Sequence, residues 1–233
     1  MEQALDVLQR SRAGRPTREQ AEARQAQLLD AALDHFLDKG FEAATIEAIA
    51  ASVSMTKRTV YARYPDKTAL FRAAARRAIE ALAVPPKDLR AARAERLEDT
   101  LYNIAALRLG QLLTPAGLKL QRTINTESYR FPDIFMTAYE LGALPVVNFI
   151  AQVLVEETQA GRLAVEDPHL AANLFTAMVI TGPVRVFVTG NYLPQTEVDR
   201  RIRYAIHLFL EGARGASTMR SDNGSFTSSP RAG

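Results

Sequence analysis

The sequence predicts an all-α protein with a small N-terminal unit and a larger C-terminal unit, and three observations lead to this fold class. Apolar residues recur at the spacing of one helix face. The clearest run consists of Leu29, Ala32, Leu33, Phe36 and Leu37. Runs of branched apolar residues with a period of two are absent, so the sequence gives no sign of a sheet. Pro85-Pro86 marks the boundary between the two units.

Four helices are predicted in the N-terminal unit, over residues 18–39, 46–53, 57–64 and 67–83. Gly40 follows the first helix, at the position where helices commonly end with a residue in the left-handed conformation. Thr45, Thr56 and Asp66 precede the other three helices, where their side-chain oxygens can accept hydrogen bonds from free backbone amides. Pro65 ends the third helix.

Five helices are predicted in the C-terminal unit, over residues 89–113, 116–127, 132–160, 168–189 and 195–214. Pro145 lies inside the third of these and should kink or split it. The most apolar stretch, 170–190, is interrupted by Pro183 and Arg185, which favours a buried core helix over a membrane span.

The residue inventory excludes most catalytic and metal chemistry. The chain has no cysteine, which removes disulfides, thiolate metal sites and cysteine nucleophiles. His35, His169 and His207 are far apart in sequence, and there is no phosphate-binding glycine pattern. We therefore expect no enzyme activity, no catalytic residue, no cofactor and no metal site. The first residues contain no apolar run of signal-peptide length, so we expect a cytoplasmic protein with no membrane partner.

Positive charge is concentrated in the first third of the chain, although the net charge is only +3. Residues 57–77 contain seven basic side chains and a single acid, Asp66, and residues 10–24 contain five arginines and two acids. Residues 81–214 contain fourteen charges of each sign. A local basic surface suits a polyanion, because neutralised phosphates release counterions. The alternative is a solvated basic helix face.

The segment 45–61 has the spacing of a helix-turn-helix, two short helices joined by a turn near Ser54 and Met55. The expected inner face of the pair is formed by Ile46, Ile49, Ala50, Val60 and Tyr64. Lys57, Arg58 and Tyr61 then fall together on the outer face. Such a helix fits the major groove of DNA, where Arg and Lys donate to guanine. The N-terminal domain, residues 18–83, is therefore predicted to be a three-helix helix-turn-helix domain extended by a fourth helix. Residues 1–17 would form a flexible basic arm before it.

Two stretches of this domain carry a resemblance to a known family. They are Phe41-Glu-Ala-Ala-Thr-Ile-Glu-Ala-Ile-Ala-Ala and Thr56-Lys-Arg-Thr-Val-Tyr-Ala-Arg-Tyr-Pro-Asp-Lys-Thr-Ala-Leu-Phe71. They resemble the DNA-binding domain of the TetR family of bacterial regulators, over about residues 25–71. Ser54 stands where the family usually has Gly, so the turn is expected to be slightly strained. Met55 stands where Val is usual.

The resemblance implies a set of DNA contacts. Lys57, Arg58 and Thr59 would approach bases or phosphates in the major groove, and Tyr61 and Arg63 would contact the backbone. The remaining phosphate contacts would come from residues at helix N-termini, which are Thr45, Thr56 and Lys67. Arg15, in the arm, would enter a narrow minor groove, unless the arm is merely a solvated tail.

The C-terminal domain, residues 86–214, is similar to one subclass of the family, the AefR-like regulators. The similarity rests on the stretch from Leu120 to Gly142 and on Gly161-Arg-Leu-x-Val-Glu-Asp-Pro168. It implies an all-helical domain for ligand sensing and dimerisation. Residues 215–233 are rich in Ser, Gly, Thr, Asn and Pro and are expected to form a disordered tail.

Candidate ligand and interface residues follow from this similarity. The candidates for the ligand pocket are Tyr102, Asn103, Gln121, Glu127, Phe135, Tyr139, Asn148, Gln152, Met178 and Arg185. Arg185 would bind an anionic ligand or form an ion pair with Glu127 or Glu140. The candidates for the dimer interface are Leu174, Met178, Val198, Ile202, Ala205 and Phe209. These apolar stripes would otherwise pack into the core of their own domain.

The sequence therefore predicts a ligand-responsive transcriptional regulator, a repressor that binds a palindromic DNA operator as a homodimer. Its partners would be double-stranded DNA, a small-molecule effector and a second copy of the chain. The alternative is a helical small-molecule-binding protein or enzyme that does not bind DNA.

Overall fold

A computed structural model describes residues 17–214 of the chain. The chain divides into two compact units between Ala81 and Leu82. Every regular element in the described part is a helix, which confirms the predicted all-α class.

From residue 17 onward, where the described part begins, the N-terminal unit contains four helices: α1 (Arg18–Ala43), α2 (Ile46–Ser52), α3 (Lys57–Tyr61) and α4 (Lys67–Ala81). Thr17 caps α1 by accepting a hydrogen bond from the Gln20 amide, and the Gln20 side chain accepts one in return from the Thr17 amide. Gly40 has a φ of 78°, so the regular part of α1 ends where the sequence predicts.

Three aromatic rings form the core of the N-terminal unit. The Phe71 ring lies with its centroid 5.0 Å from that of Phe36 and 5.3 Å from that of Phe41. All three side chains are buried, together with Ile49 and Val60 from the helix-turn-helix. This cluster packs α2 and α3 against the longer helices α1 and α4, and so fixes the direction in which α3 presents its outer face.

The turn between α2 and α3 uses a left-handed residue that is not glycine. Ser54 has a φ of 51°, in agreement with the strain expected where the family usually has glycine. The Met55 amide donates to the Ala50 carbonyl at 2.8 Å, which closes the turn.

Up to residue 214, the C-terminal unit contains eight α-helices, two of which continue into the next helix through a π-helical segment. The helices are α5 (Pro86–Ala91), α6 (Leu97–Leu112), α7 (Pro115–Glu127), α8 (Pro132–Ala138), α9 (Leu144–Gln159), α10 (Pro168–Thr176), α11 (Gly182–Val188) and α12 (Gln195–Arg214). The π segments are Tyr139–Ala143, between α8 and α9, and Ala177–Thr181, between α10 and α11. The core of this unit includes Leu101, Ile104, Ile150, Phe175 and Ile202.

The single helix predicted over 89–113 is wrong, because the chain breaks between α5 and α6. Side chains satisfy the backbone at this break: the Thr100 hydroxyl accepts from the Ala94 amide at 2.9 Å, and the Asn103 amide group donates to the Ala92 carbonyl at 3.1 Å. Arg93, which lies in the break, forms a bidentate ion pair with Glu156 of α9. The break contains neither Gly nor Pro, so no local signal predicts it.

The predicted interruption at Pro145 is confirmed, and Pro183 produces a second one. Each proline follows a π segment and lacks the amide that would continue the α-helical ladder. The stretches Pro132–Gln159 and Pro168–Val188 are long and apolar enough to cross a membrane by length and composition alone. Both contribute core residues to the C-terminal unit, such as Ile150 and Phe175.

Candidate DNA-binding surface and ligand cavity

The short helix α3 presents the three side chains that the sequence places on its outer face. Lys57, Arg58 and Tyr61 are exposed, whereas Val60 and Tyr64 are buried. The Tyr64 hydroxyl accepts a hydrogen bond from Gln25 of α1 at 3.1 Å, which ties the end of the helix-turn-helix to the first helix. The predicted inner and outer faces are therefore confirmed.

Arg58 and Arg63 are the cations of this surface with the greatest freedom to bind an anion. Both are exposed, and neither side chain has a hydrogen-bond or ion-pair partner within the stretch 17–214. Lys57, by contrast, forms an ion pair with Glu47, in the first turn of α2. The hydrogen bond between them lowers the pKa of the Glu47 carboxyl and raises the pKa of the Lys57 ammonium, so both are charged at neutral pH.

Thr45 and Thr56 act as helix caps at the N-termini of α2 and α3. Their hydroxyl oxygens accept from the amides of Ala48 and Thr59, each at 3.2 Å. The Thr56 hydroxyl also lies 2.8 Å from that of Thr59. A capping hydroxyl accepts through its oxygen and keeps its own proton, so Thr45 remains a donor for a phosphate oxygen.

Lys67, a predicted phosphate contact, is bound to backbone carbonyls of its own unit. Lys67 extends its Nζ toward the end of α1, where it donates to the carbonyls of Glu42 at 3.0 Å and Ala44 at 3.2 Å. It also lies 4.6 Å from the centroid of the Phe41 ring. This lysine therefore fastens α4 to α1. Arg15 lies outside the described residues.

A cavity of about 570 Å³ lies within the C-terminal unit, among α6 to α11. Its apolar walls come from Leu112, Ile124, Val146, Val147, Ile180 and Val184. Both π segments border it, through Tyr139 and Ala143 of the first and Ile180 and Thr181 of the second. Segments of this type occur often at functional sites, because the extra residue widens the helix and displaces side chains from the regular packing. The volume falls in the range of small-molecule sites.

Arg108 is the most buried charge at this cavity. Only 7% of the residue is exposed, and burial lowers the pKa of its guanidinium to about 10. Its Nη1 donates to the Leu82 carbonyl and, at 3.5 Å, to the Gln111 side chain. Arg108 is not among the pocket residues predicted from the sequence. A signal was present, because Leu101, Ile104, Arg108 and Leu112 share one face of α6, and a charge in an apolar stripe is unusual.

The structure places four of the predicted pocket residues at the cavity. They are Gln121, Phe135, Tyr139 and Arg185. Tyr102 lies elsewhere, with its hydroxyl donating to Asp199 at 3.0 Å, and Asn103 holds the break before α6. The others that do not line the cavity are Glu127, Asn148, Gln152 and Met178. Arg185 is exposed and forms no ion pair with Glu127 or Glu140 in the described chain.

The residues predicted for a dimer interface divide into two groups. Val198 and Ile202 are 3% and 1% exposed and belong to the core of their own unit, and Ala205 and Phe209 pack partly against that core. Leu174 and Met178 are exposed. Three further apolar side chains, Leu170, Tyr204 and Leu208, are exposed on the same two stretches of chain.

Comparison with known proteins assigns both units. Residues 28–74 match the family described as bacterial regulatory proteins, tetR family, and residues 99–212 match the AefR-like transcriptional repressor, C-terminal domain. The chain belongs to the TetR family. TetR proteins are transcriptional regulators and not enzymes, which removes the enzyme alternative. The shared N-terminal module makes this chain a DNA-binding protein, and the second module is the effector-binding part of the family.

Individual relatives agree with this assignment. The chain is 29% identical over 150 residues to an uncharacterized HTH-type transcriptional regulator of Mycobacterium tuberculosis, covering 62% of this chain and 69% of that protein. Among solved structures it is similar to the flavonoid-responsive regulator FrrA, with 29% identity, a TM-score of 0.68, and coverage of 84% of this chain and 100% of that one. A putative TetR-family regulator from Mesorhizobium loti shares the fold at 24% identity, with a TM-score of 0.68 and coverage of 84% and 98%.

Proposed function

We propose that this TetR-family protein is a ligand-responsive repressor that binds a palindromic operator as a homodimer. The observation that carries the DNA-reading part is the outer face of α3, where Lys57, Arg58 and Tyr61 are exposed on a short, capped helix. Arg58 would read a base edge, since its guanidinium is free to donate two hydrogen bonds to one guanine. Thr45 and Arg63 would hold the phosphates on either side. The match to a domain described as a repressor domain supports negative regulation.

The dimer would form through an apolar surface on α10, its π segment and α12. The exposed side chains of this surface are Leu170, Leu174, Met178, Tyr204 and Leu208. Apolar groups grouped in this way are uncommon on a monomer. A twofold dimer would also provide two recognition helices, as a palindrome requires. We expect Leu174→Glu combined with Leu208→Glu to give monomers in sedimentation analysis. Val155→Glu, at an exposed apolar residue of α9, should leave the dimer intact.

The effector would bind in the cavity of the C-terminal unit and weaken DNA binding. FrrA is named as responsive to a flavonoid, which supports a small organic effector for a related chain. Binding of the effector and of DNA must be reciprocally linked, so DNA should weaken effector binding by the same factor. Because its target is DNA, the protein would act in the cytoplasm.

A fluorescence-anisotropy titration with the DNA upstream of the protein's own gene tests the DNA-binding part. Removal of two base contacts per dimer by Arg58→Ala should reduce affinity at least about tenfold at fixed salt, since one bidentate contact is worth about 1–3 kcal/mol. Arg162→Ala serves as the control, because it removes an exposed arginine of the C-terminal unit. Equal affinity of the two variants for the upstream DNA would contradict the proposal. Wild-type binding that is weak and insensitive to salt would contradict the proposed operator binding.

A further inference from the structure

The charge of Arg108 has no acidic partner among residues 17–214. Of the eighteen side chains that line the cavity within the described chain, two are charged, and these are Arg108 and Arg185. No carboxylate of residues 17–214 forms an ion pair with either arginine. Burying a charge without a counter-charge is costly, and proteins normally pair such a group. An anion bound beside Arg108 would supply the missing counter-charge.

The guanidinium also keeps donors for such an anion. Arg108 uses Nη1 for both of its hydrogen bonds, to Leu82 and Gln111. Its Nη2 and Nε have no hydrogen-bond partner in the described residues, and the side chain borders the cavity. These two nitrogens form one edge of the planar guanidinium, which is the edge that binds both oxygens of a carboxylate.

The rest of the cavity restricts the size and polarity of this anion. An inorganic anion would leave most of the 570 Å³ beside walls of Val, Leu and Ile side chains. Filling that space favours an apolar body. Phe135 and Tyr139, both at the cavity, add aromatic surface for a planar group. The lining also includes the polar side chains of Gln121, Asn125, Ser128, Thr176 and Thr181, which can bond polar substituents of a ligand. The lining and the arginine together therefore favour a molecule with one acidic group on a mainly apolar, ring-containing body.

We propose that the effector is an organic acid of this type, bound by its carboxylate to Arg108 and by its apolar body to the walls of the cavity. This inference rests on the proposed function, since it names the chemical class of the effector. Arg185, which is exposed at the same cavity, contributes long-range attraction and is not the binding group.

A matched pair of competitors tests the requirement for negative charge. The neutral fluorescent probe N-phenyl-1-naphthylamine reports occupation of the apolar cavity in the full-length protein at pH 7.5. It is displaced by 2-naphthoate or by the uncharged 2-naphthamide, which has the same ring system. We expect the naphthoate to bind about 10- to 100-fold more tightly, the range for a hydrogen-bonded charged group. The proposal would be overturned by a ratio of naphthoate to naphthamide affinity near one, by tighter binding of the amide, or by failure of the probe to bind.

Three variants assign the preference to one residue. Arg108→Met keeps an unbranched, flexible side chain but removes the guanidinium and its charge, and the ratio of naphthoate to naphthamide affinity should fall to about one while the probe still binds. Arg108→Lys should retain part of the preference, and Arg185→Gln should retain nearly all of it. If Arg108→Met does not fold, the ratio of naphthoate to naphthamide affinity in the wild type and in Arg108→Lys still tests the proposal. An unchanged ratio in Arg108→Lys would contradict the bidentate geometry. A loss in Arg185→Gln larger than in the Arg108 variants would overturn the assignment.

The DNA titration run in parallel separates the two proposals. If the amide binds the cavity and weakens DNA binding as strongly as the naphthoate does, the effector is not an organic acid. The proposed ligand-responsive function would then still stand. If neither compound changes DNA affinity although both bind the cavity, the coupling in the proposed function fails instead. Absence of DNA binding in the wild type would refute the proposed function whatever the competitors show.

Discussion

The ion pair between Glu47 and Lys57 predicts that this protein restrains its own DNA affinity. Lys57 is one of the exposed cations of the recognition helix, yet it is held by a carboxylate at the start of α2. While the pair persists, Lys57 neutralises Glu47 and not a phosphate. The pair should persist at neutral pH, because the depressed pKa of Glu47 keeps the carboxylate ionised from neutral pH to below 4.5. The interaction is lost only as the pH falls through that lowered value.

Glu47→Gln should free one lysine in each recognition helix. Two additional phosphate contacts per dimer would steepen the dependence of log affinity on log salt by about 1.8, at about 0.9 per contact. Raising the salt concentration fourfold, from about 50 to about 200 mM, lowers the DNA affinity of both proteins. The fold-loss should be about twelve times larger for the variant than for the wild type. At low salt the variant should bind more tightly than the wild type.

Anisotropy titrations at four salt concentrations measure this slope. Glu80→Gln is the matched control, because it removes the same charge from the same unit at a residue that pairs with Arg76 on α4. Equal slopes and equal affinities for the two variants would refute the reasoning, since the effect would then come from net charge and not from release of Lys57. A Lys57→Met variant should abolish the difference between the Glu47 variant and its parent.

Three further predictions concern the strain, the core and the acid titration. Ser54→Gly should stabilise the N-terminal unit by about 0.5–1 kcal/mol in urea unfolding, because a residue with a φ of 51° is strained unless it is glycine. Phe71→Ala should destabilise that unit by about 3–5 kcal/mol and abolish DNA binding, with a smaller loss for Phe71→Leu, as followed by circular dichroism. Hydrogen bonds from Arg200 and Arg201 lower the pKa of Glu197 to about 2, so a carbon-13 NMR titration should find this carboxylate ionised at pH 3, and its stabilising effect is lost only as the pH falls from 4.5 toward 2.

Much of the N-terminal unit is predictable from the sequence because its signals are local. Helix caps such as Thr45 and Thr56, the glycine at 40 and the four-residue spacing of Val60 and Tyr64 each act over one or two turns. Local periodicity therefore predicts which side of α3 faces outward. It does not predict that Glu47 reaches Lys57 or that Lys67 bonds to the end of α1, because those contacts depend on how neighbouring helices pack.

The cavity is harder to predict, because its lining comes from six helices and two π segments. Pro145 predicts an interruption, but a proline alone does not distinguish a kink from a π segment. A polar residue in the sequence does not by itself predict a position at the cavity. Gln121 and Tyr139 line the cavity, whereas the Tyr102 hydroxyl donates to Asp199 and Tyr102 does not line it. A charge inside an apolar stripe, as at Arg108, is a more informative feature. Burying an arginine costs more free energy than burying an uncharged polar residue.

The last helix shows how an apolar stripe is assigned to a core or to a partner. A side chain that is already buried inside its own unit, such as Val198 or Ile202, has no surface left for a second copy of the chain. At 100° per residue, Tyr204 lies about 200° around the helix from Ile202, so it points away from the core together with Leu208. A helix that must both close a core and contact a partner therefore carries two apolar faces about half a turn apart. The longer stripe belongs to the core, and the partner surface should be sought among the apolar residues that remain.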